Sequence, residues 1–193
     1  MASLFKTTVN TRYLPMGDKR FIRSDFPGGL VQEEIAWLKE NGVTTIVDLR
    51  SNEEYEHVPC RLVSEPGFAY HHLPVTVPGT LPNSPEEFRA IYRGMVDDQL
   101  DRIVETILNA ETKVLYFCGS GQDRTGVVSA ALLKKLGYDE ETIVADYMET
   151  RANLLPIFQI LIKENPGLDL DLILASEDNI RAVLSALDQR RPH

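Results

Sequence analysis

Only two cysteines, Cys60 and Cys118, occur in the 193 residues, too few for the disulfide framework of a small secreted scaffold. No apolar run approaches the roughly 18 residues needed to cross a bilayer. The opening Met1-Ala-Ser-Leu-Phe-Lys6 lacks a secretory signal's apolar stretch. A cytoplasmic protein with no stable membrane insertion is expected. Basic residues are in deficit, 20 Lys and Arg against 29 Asp and Glu for a net charge of −9, which argues against a nucleic-acid partner. Repeats and low-complexity tracts are absent. His57, His71 and His72 have no neighbouring Cys or Asp at metal-ligand spacing, so neither a metal nor a cofactor is expected. What is present, 43% hydrophobic and 25% charged residues, suits one monomeric domain over residues 1–193 with a sizeable core.

Strand and helix signals alternate through the middle of the chain. Thr- and Val-rich Phe5 to Tyr13 reads as a strand and Arg20 to Ser24 as a second, short one. After Pro27-Gly28-Gly29, an amphipathic helix carrying Ile35, Trp37 and Leu38 stops at Asn41-Gly42. Val43 to Val47, rich in β-branched residues, reads as a buried, parallel strand. Phe68 to Leu73 is another strand, and Pro74 to Pro85 a loop with four prolines. Ser84-Pro85-Glu86-Glu87 supplies a cap, a first-turn proline and a capping glutamate for a helix that breaks near Asp97-Asp98. Lys113 to Phe117 is the next strand, and Thr125 to Leu136 a helix ending at Gly137. Asp139, Pro156 and Ser176 mark starts or breaks of further helices. Apolar Leu154 to Ile162 and Ile180 to Leu187 are expected to face the core. The fold class is α/β, a mainly parallel central sheet flanked by helices.

The chemistry concentrates in Cys118-Gly-Ser-Gly-Gln-Asp-Arg124-Thr-Gly126, between that last strand and its helix. Ligands of open α/β sheets bind beyond the carboxyl ends of the strands. A short loop there can turn successive backbone N–H groups inward as an anion nest, reinforced by the helix N-terminus. Gly119, Ser120, Gly121, Gln122 and Gly126 are the candidate phosphate-binding residues. Helix N-termini and cations favour a thiolate, so Cys118 is the candidate nucleophile. Arg124 offers a planar fork to two phosphate oxygens. In-line attack by Cys118 would give a phosphocysteine that water hydrolyses, with Thr125 hydrogen-bonding the departing sulfur. The leaving oxygen needs a proton. Asp123 is the first candidate for the acid, Asp48 the second, and Asp97 or Asp98 the third; Asp123 is alternatively structural.

This loop resembles the Cys-x-x-x-x-x-Arg-Ser/Thr signature of protein tyrosine phosphatases. More narrowly, it resembles the Cys-x-Ala-Gly-Lys-Asp-Arg-Thr-Gly form of an atypical, largely microbial tyrosine and dual-specificity family, some of whose members also hydrolyse phosphoinositides. Phe21-Ile-Arg23-Ser24, Thr45 to Glu54 and Asp139 to Asn153 resemble further segments of that family in the same order. The resemblance implies a tyrosine phosphatase-like fold. It also implies a phosphorylated protein, or a small phosphomonoester or phosphoinositide, as substrate. It places Arg23 near the pocket as a second substrate contact or a supporting arginine, and leaves Asp48 and Arg50 as site residues or a structural ion pair. Three positions depart from the family: Phe117 stands where His is usual, Gln122 where Lys is, and Ser120 where Ala is. Losing the lysine weakens the case for polyanionic inositol lipids.

Two other functions fit parts of the sequence. Ile46 to Tyr55 also resembles a rhodanese-like sulfurtransferase segment, although the reactive loop of those enzymes has one fewer residue between Cys and Arg. A non-catalytic phosphate-binding module is the other, kept open by Phe117. Cys60 reads as a half-buried thiol, or as a partner for Cys118 in an oxidative disulfide.

Overall fold

The computed structural model describes residues 3–77 and 82–190. Its five-stranded sheet has the order β1-β2-β5-β3-β4: β1 Arg12–Tyr13, β2 Phe21–Ser24, β3 Val43–Asp48, β4 Ala69–His72 and β5 Lys113–Phe117. β1 runs antiparallel to β2, and the other neighbours are parallel, matching the mainly parallel sheet expected. The eight α-helices among the described residues are α1 Gln32–Glu40, α2 Asn52–His57, α3 Pro85–Gly94, α4 Asp98–Leu108, α5 Asp123–Lys135, α6 Glu140–Glu164, α7 Leu170–Ile173 and α8 Glu177–Arg190.

The pleat of β5 divides the core. Val114, Tyr116 and Cys118 face a cluster built with α3, α4, α5, α6 and α8, while Leu115 and Phe117 face a second one with Ile35 and Leu38 of α1, as successive side chains of a strand must. Every one of these side chains is essentially buried, and each contributes roughly 1.5–3 kcal/mol when large and apolar. Sandwiching β5 between two cores fixes the end of the strand, and the loop after it starts from a rigid base.

Local sequence explains most boundaries. Ser84 caps α3, Asp97 caps α4 and Asp139 caps α6, each side chain accepting a backbone N–H three residues on. The expected strand over Phe5 to Tyr13 survives only as Arg12–Tyr13. Its preceding backbone donors are captured by carboxylates instead. Val9 and Asn10 donate to Asp25 at 3.0 Å each, and Lys6 donates to Glu34 at 2.7 Å, so the segment loops rather than pairs. Pro156 does not break α6. A proline there removes a bond to the carbonyl of Ala152, and both residues are exposed, leaving that carbonyl to water. The second half of α6 is likewise not core-facing beyond Leu154: Ile157, Ile160 and Leu161 are 41%, 59% and 37% exposed. Helix α2, heralded by Ser51-Asn-Glu-Glu54, has no counterpart in the expected elements. Within the proline loop, residues 78–81 lie outside the described residues.

Candidate active site

The loop from Cys118 to Arg124 leaves the carboxyl end of β5 and enters α5. Its first three carbonyls after the cysteine are all pulled to one side. Gly119 accepts from the Phe26 N–H at 2.9 Å. Ser120 and Gly121 accept from Asn10 Nδ2 at 3.2 and 3.1 Å, and Gly121 also from Arg23 Nη2 at 3.0 Å. In a trans peptide the carbonyl and the following N–H point in opposite directions. The N–H groups of Ser120, Gly121 and Gln122 therefore turn to the other side, away from those three carbonyls. Gly121 is required for this path. Its φ is +69°, and a Cβ would lie 2.7 Å from the backbone of Ser24 and Asp25.

Arg124 is held in a two-pronged ion pair: its Nη1 and Nη2 donate to Glu54 Oε2 and Oε1 at 2.5 and 2.9 Å. Burial opposes the Arg124 charge, but the bonds to Glu54 and the proximity of Cys118, Glu54 and Asp123 more than compensate and raise its pKa. In return the arginine, followed by Ser51, holds the Glu54 carboxyl down at about 2, against the opposing effect of partial burial. Glu54 comes from α2, where it also accepts from the Ser51 N–H at 2.8 Å to complete the capping box. Cys118 is 1% exposed. The Thr125 hydroxyl, buried in the first turn of α5, has no hydrogen-bond partner among the described residues.

Asp123 is partly exposed, and its Oδ1 accepts from Tyr92 at 2.5 Å and from Gln122 Nε2 at 3.0 Å. Burial, then Asp123, pushes the Tyr92 hydroxyl far above its ordinary pKa, so it remains a donor. The other acid candidates are committed elsewhere. Asp48 is fully buried and accepts from Arg50 Nε and Nη2 and, at 2.7 Å, from Tyr70. Asp97 caps α4 and Asp98 pairs with Arg190.

The side chains of three expected substrate contacts, and the α-carbon of a fourth, are engaged inside the protein. Arg23 is 0% exposed behind the loop, donating to Asp146, Gly121 and Thr150. Arg50 pairs with Asp48, donates to the Val58 carbonyl at 2.8 Å and lies 4.2 Å over the Phe26 ring and 5.5 Å from that of Phe117. The Gln122 side chain turns inward to the α7–α8 connection. Gly126 is a packing glycine, since a Cβ there would meet the Tyr147 ring at 2.7 Å. Asp48 is engaged in the same way: a carboxylate with both oxygens taken inside the protein does not reach a leaving group. Phe117 fills core space beneath Arg50, where a histidine would have offered a donor. Cys60 packs on the α1 side of the sheet with its pKa raised by burial, whereas Cys118 packs on the α5 side.

The sequence reading passed over Asn10, Glu54 and Tyr92 as site residues. Glu54 had a signal, the Ser51–Glu54 capping box, which announces a helix start but not the arginine it faces. Asn10 had none. With its Oδ1 held by Arg12 and Asn153 and its Nδ2 by two loop carbonyls, Asn10 spans the back of the loop. Asn10→Ala should weaken vanadate binding about tenfold and also destabilise the fold, because it removes four bonds each worth about 1 kcal/mol and deprives Arg12 and Asn153 of an acceptor. Titrating vanadate by calorimetry measures this, and unchanged affinity would show that the loop keeps its shape without the brace.

Comparison with known proteins agrees with this geometry. The family model described as "Tyrosine phosphatase family" matches residues 7–191. The chain belongs to the tyrosine phosphatase family. Among its relatives in that family is the triple specificity protein phosphatase PtpB of Mycobacterium tuberculosis, 40% identical over 78 residues, which span 40% of this chain and 28% of PtpB. A tyrosine-protein phosphatase of Nostoc commune is 27% identical over 139 residues, 66% of this chain and 47% of that one. The chain thus aligns with less than half the length of either tyrosine phosphatase relative. A crystal structure of kinase associated phosphatase, with its catalytic cysteine replaced by serine, superimposes with a TM-score of 0.55 at 15% identity, covering 98% of this chain and 99% of that one. The tyrosine phosphatase-like fold follows. Family membership also leaves the sulfurtransferase reading without support, for the segment it rested on is occupied by the internal Asp48–Arg50 pair.

Proposed function

We propose that the protein is a cysteine-dependent phosphatase acting on phosphomonoesters, with phosphotyrosine as the preferred class. The observation that carries this is the loop's enforced polarity: three carbonyls drawn backward, N–H groups turned forward, and Arg124 locked beside Cys118 by Glu54. Phosphate oxygens would take the loop N–H groups and the outer edge of Arg124. The Cys118 sulfur attacks phosphorus as the bond to the leaving oxygen breaks, and Asp123 gives that oxygen its proton. Water then attacks the phosphocysteine, the Asp123 carboxylate takes its proton, and the thiolate is released with Thr125 donating to it.

Substrates with one phosphate are favoured over inositol polyphosphates. Gln122 brings no charge to the opening, and Glu54 places a carboxylate on its α2 side, so a second and third phosphate would meet repulsion. The triple specificity in the name of the Mycobacterium relative supports testing phosphoserine, phosphothreonine and phosphoinositide alongside phosphotyrosine.

Wild type is expected to hydrolyse aryl phosphates in a vanadate-sensitive manner, and Cys118→Ser to lose that hydrolysis while still binding vanadate. Hydrolysis surviving in Cys118→Ser would remove Cys118 from the mechanism. Phosphate binding without hydrolysis by wild type would make the protein a binding module.

A further inference from the structure

Gln122 occupies the loop position where the resembling family has lysine, yet it is 2% exposed. Its amide makes three bonds. Nε2 donates to the Ile173 carbonyl at 2.9 Å and to Asp123 Oδ1 at 3.0 Å, and Oε1 accepts from the Ala175 N–H at 3.0 Å. The orientation of the amide is set by its partners, because a carbonyl can only accept and a backbone N–H can only donate. A lysine could not replace it, having no acceptor for Ala175.

The bonds have a consequence at Asp123. Oδ1 receives two donated protons, one from Gln122 and one from Tyr92 of α3. An oxygen so occupied is a poor place for the carboxylic proton. The oxygen left to carry an acid's proton is Oδ2, for which no hydrogen bond is found among the described residues. Tyr92 is fixed in turn by Tyr147 of α6 at 2.5 Å. The two donors reach Asp123 from separate parts of the helical layer, Tyr92 from α3 and Gln122 from its anchorage at the α7–α8 connection.

We propose that Gln122 is a positioning residue that acts through Asp123, using its hold on Ile173 and Ala175 to fix which carboxyl oxygen delivers the proton to the leaving group. This rests on the phosphatase reading above and on Asp123 as its acid. Phosphate binding, which belongs to the loop N–H groups and Arg124, does not depend on the Gln122 side chain. A substitution at 122 should consequently discriminate between leaving groups. Phenolate needs its proton in the transition state, whereas para-nitrophenolate departs readily without one.

The test compares kcat/KM for phenyl phosphate and para-nitrophenyl phosphate, with vanadate affinity, in wild type, Gln122→Met and Gln122→Glu. Met keeps the shape and removes all three bonds; Glu keeps the acceptor for Ala175 and removes the donor to Asp123. Both variants are expected to lose about 30-fold on phenyl phosphate, within the span of a general acid's contribution; Gln122→Met should lose less than about threefold on para-nitrophenyl phosphate or in vanadate affinity, while Gln122→Glu, whose added carboxylate repels vanadate, is read by its leaving-group ratio alone. Equal losses on the two substrates, or the vanadate affinity of Gln122→Met falling in step with them, would overturn the assignment in favour of a purely structural clasp. So would failure of both variants to fold. A wild type lacking Cys118-dependent hydrolysis sinks the phosphatase reading itself and this role with it, and does so before any change at 122. An active wild type whose variants keep the leaving-group ratio sinks the role of Gln122 alone.

Discussion

Arg124→Lys is expected to lower kcat/KM for phosphomonoesters by about 10³-fold with the fold intact, on the scale of losses seen when a fixed donor to transferring phosphoryl charge is removed. The reason is geometric. In wild type one edge of the guanidinium is pinned by both Glu54 oxygens, which orients the remaining N–H groups as a pair. A lysine ammonium keeps the charge but has no second edge, so it can satisfy Glu54 or a phosphate and cannot hold a fixed angle between them. Steady-state kinetics on an aryl phosphate, with circular dichroism as the control on folding, measures this. A loss below about tenfold would mean that charge alone suffices and that the Glu54 pair contributes nothing to catalysis. The pair itself resists acid. The Glu54 pKa is depressed to about 2 from an ordinary 4.5, so its stabilisation is complete above the ordinary value and is lost only as pH falls toward about 2. An activity loss at milder acidity must therefore come from another group.

Arg23→Met should destabilise the fold by about 3 kcal/mol, even though Arg23 lies behind the loop. Arg23 and Asp146 are a buried pair, with 0% and 4% of their side chains exposed. Removing the cation leaves the carboxylate with Arg12, whose Nε lies 3.4 Å from it. That neighbour is a weaker partner. Its Nε makes no hydrogen bond to that carboxylate, whereas Arg23 Nη1 does. The substitution also strips a donor from the Gly121 carbonyl and from the Thr150 hydroxyl. Urea unfolding should show a lower midpoint at unchanged slope, and Asp146→Asn added to Arg23→Met should recover part of the loss by discharging the orphaned carboxylate. A midpoint within error of wild type would mean that the Asp146 charge is met by Arg12 alone.

These two arginines show where sequence reading succeeds and stops. Arg124 was legible because its role is local. The spacing from Cys118, the glycines and the strand-to-helix transition are all written within nine consecutive residues, and backbone geometry over so short a span admits few arrangements. Arg23 was legible as important but not as to which side of the loop it serves. That depends on β2 lying beside β5, and on α6 bringing Asp146 and Thr150 across more than a hundred residues of chain. Asp48 and Arg50 followed the same pattern: their proximity was plain, but only Tyr70 of β4 and the rings of Phe26 and Phe117 reveal that the pair is sealed into the protein.

The sequence by itself determined the α/β class, the strand–loop–helix unit, the nucleophile candidate and its arginine. Hydrophobic periodicity, caps and motif spacing are short-range properties of a chain. Tertiary structure alone decided which of the acids remains available, why the loop carbonyls face backward, and that Gln122 turns away from the opening. Each is a hydrogen bond or ion pair between residues far apart in sequence, and its partner is chosen by the packing of helices on the sheet.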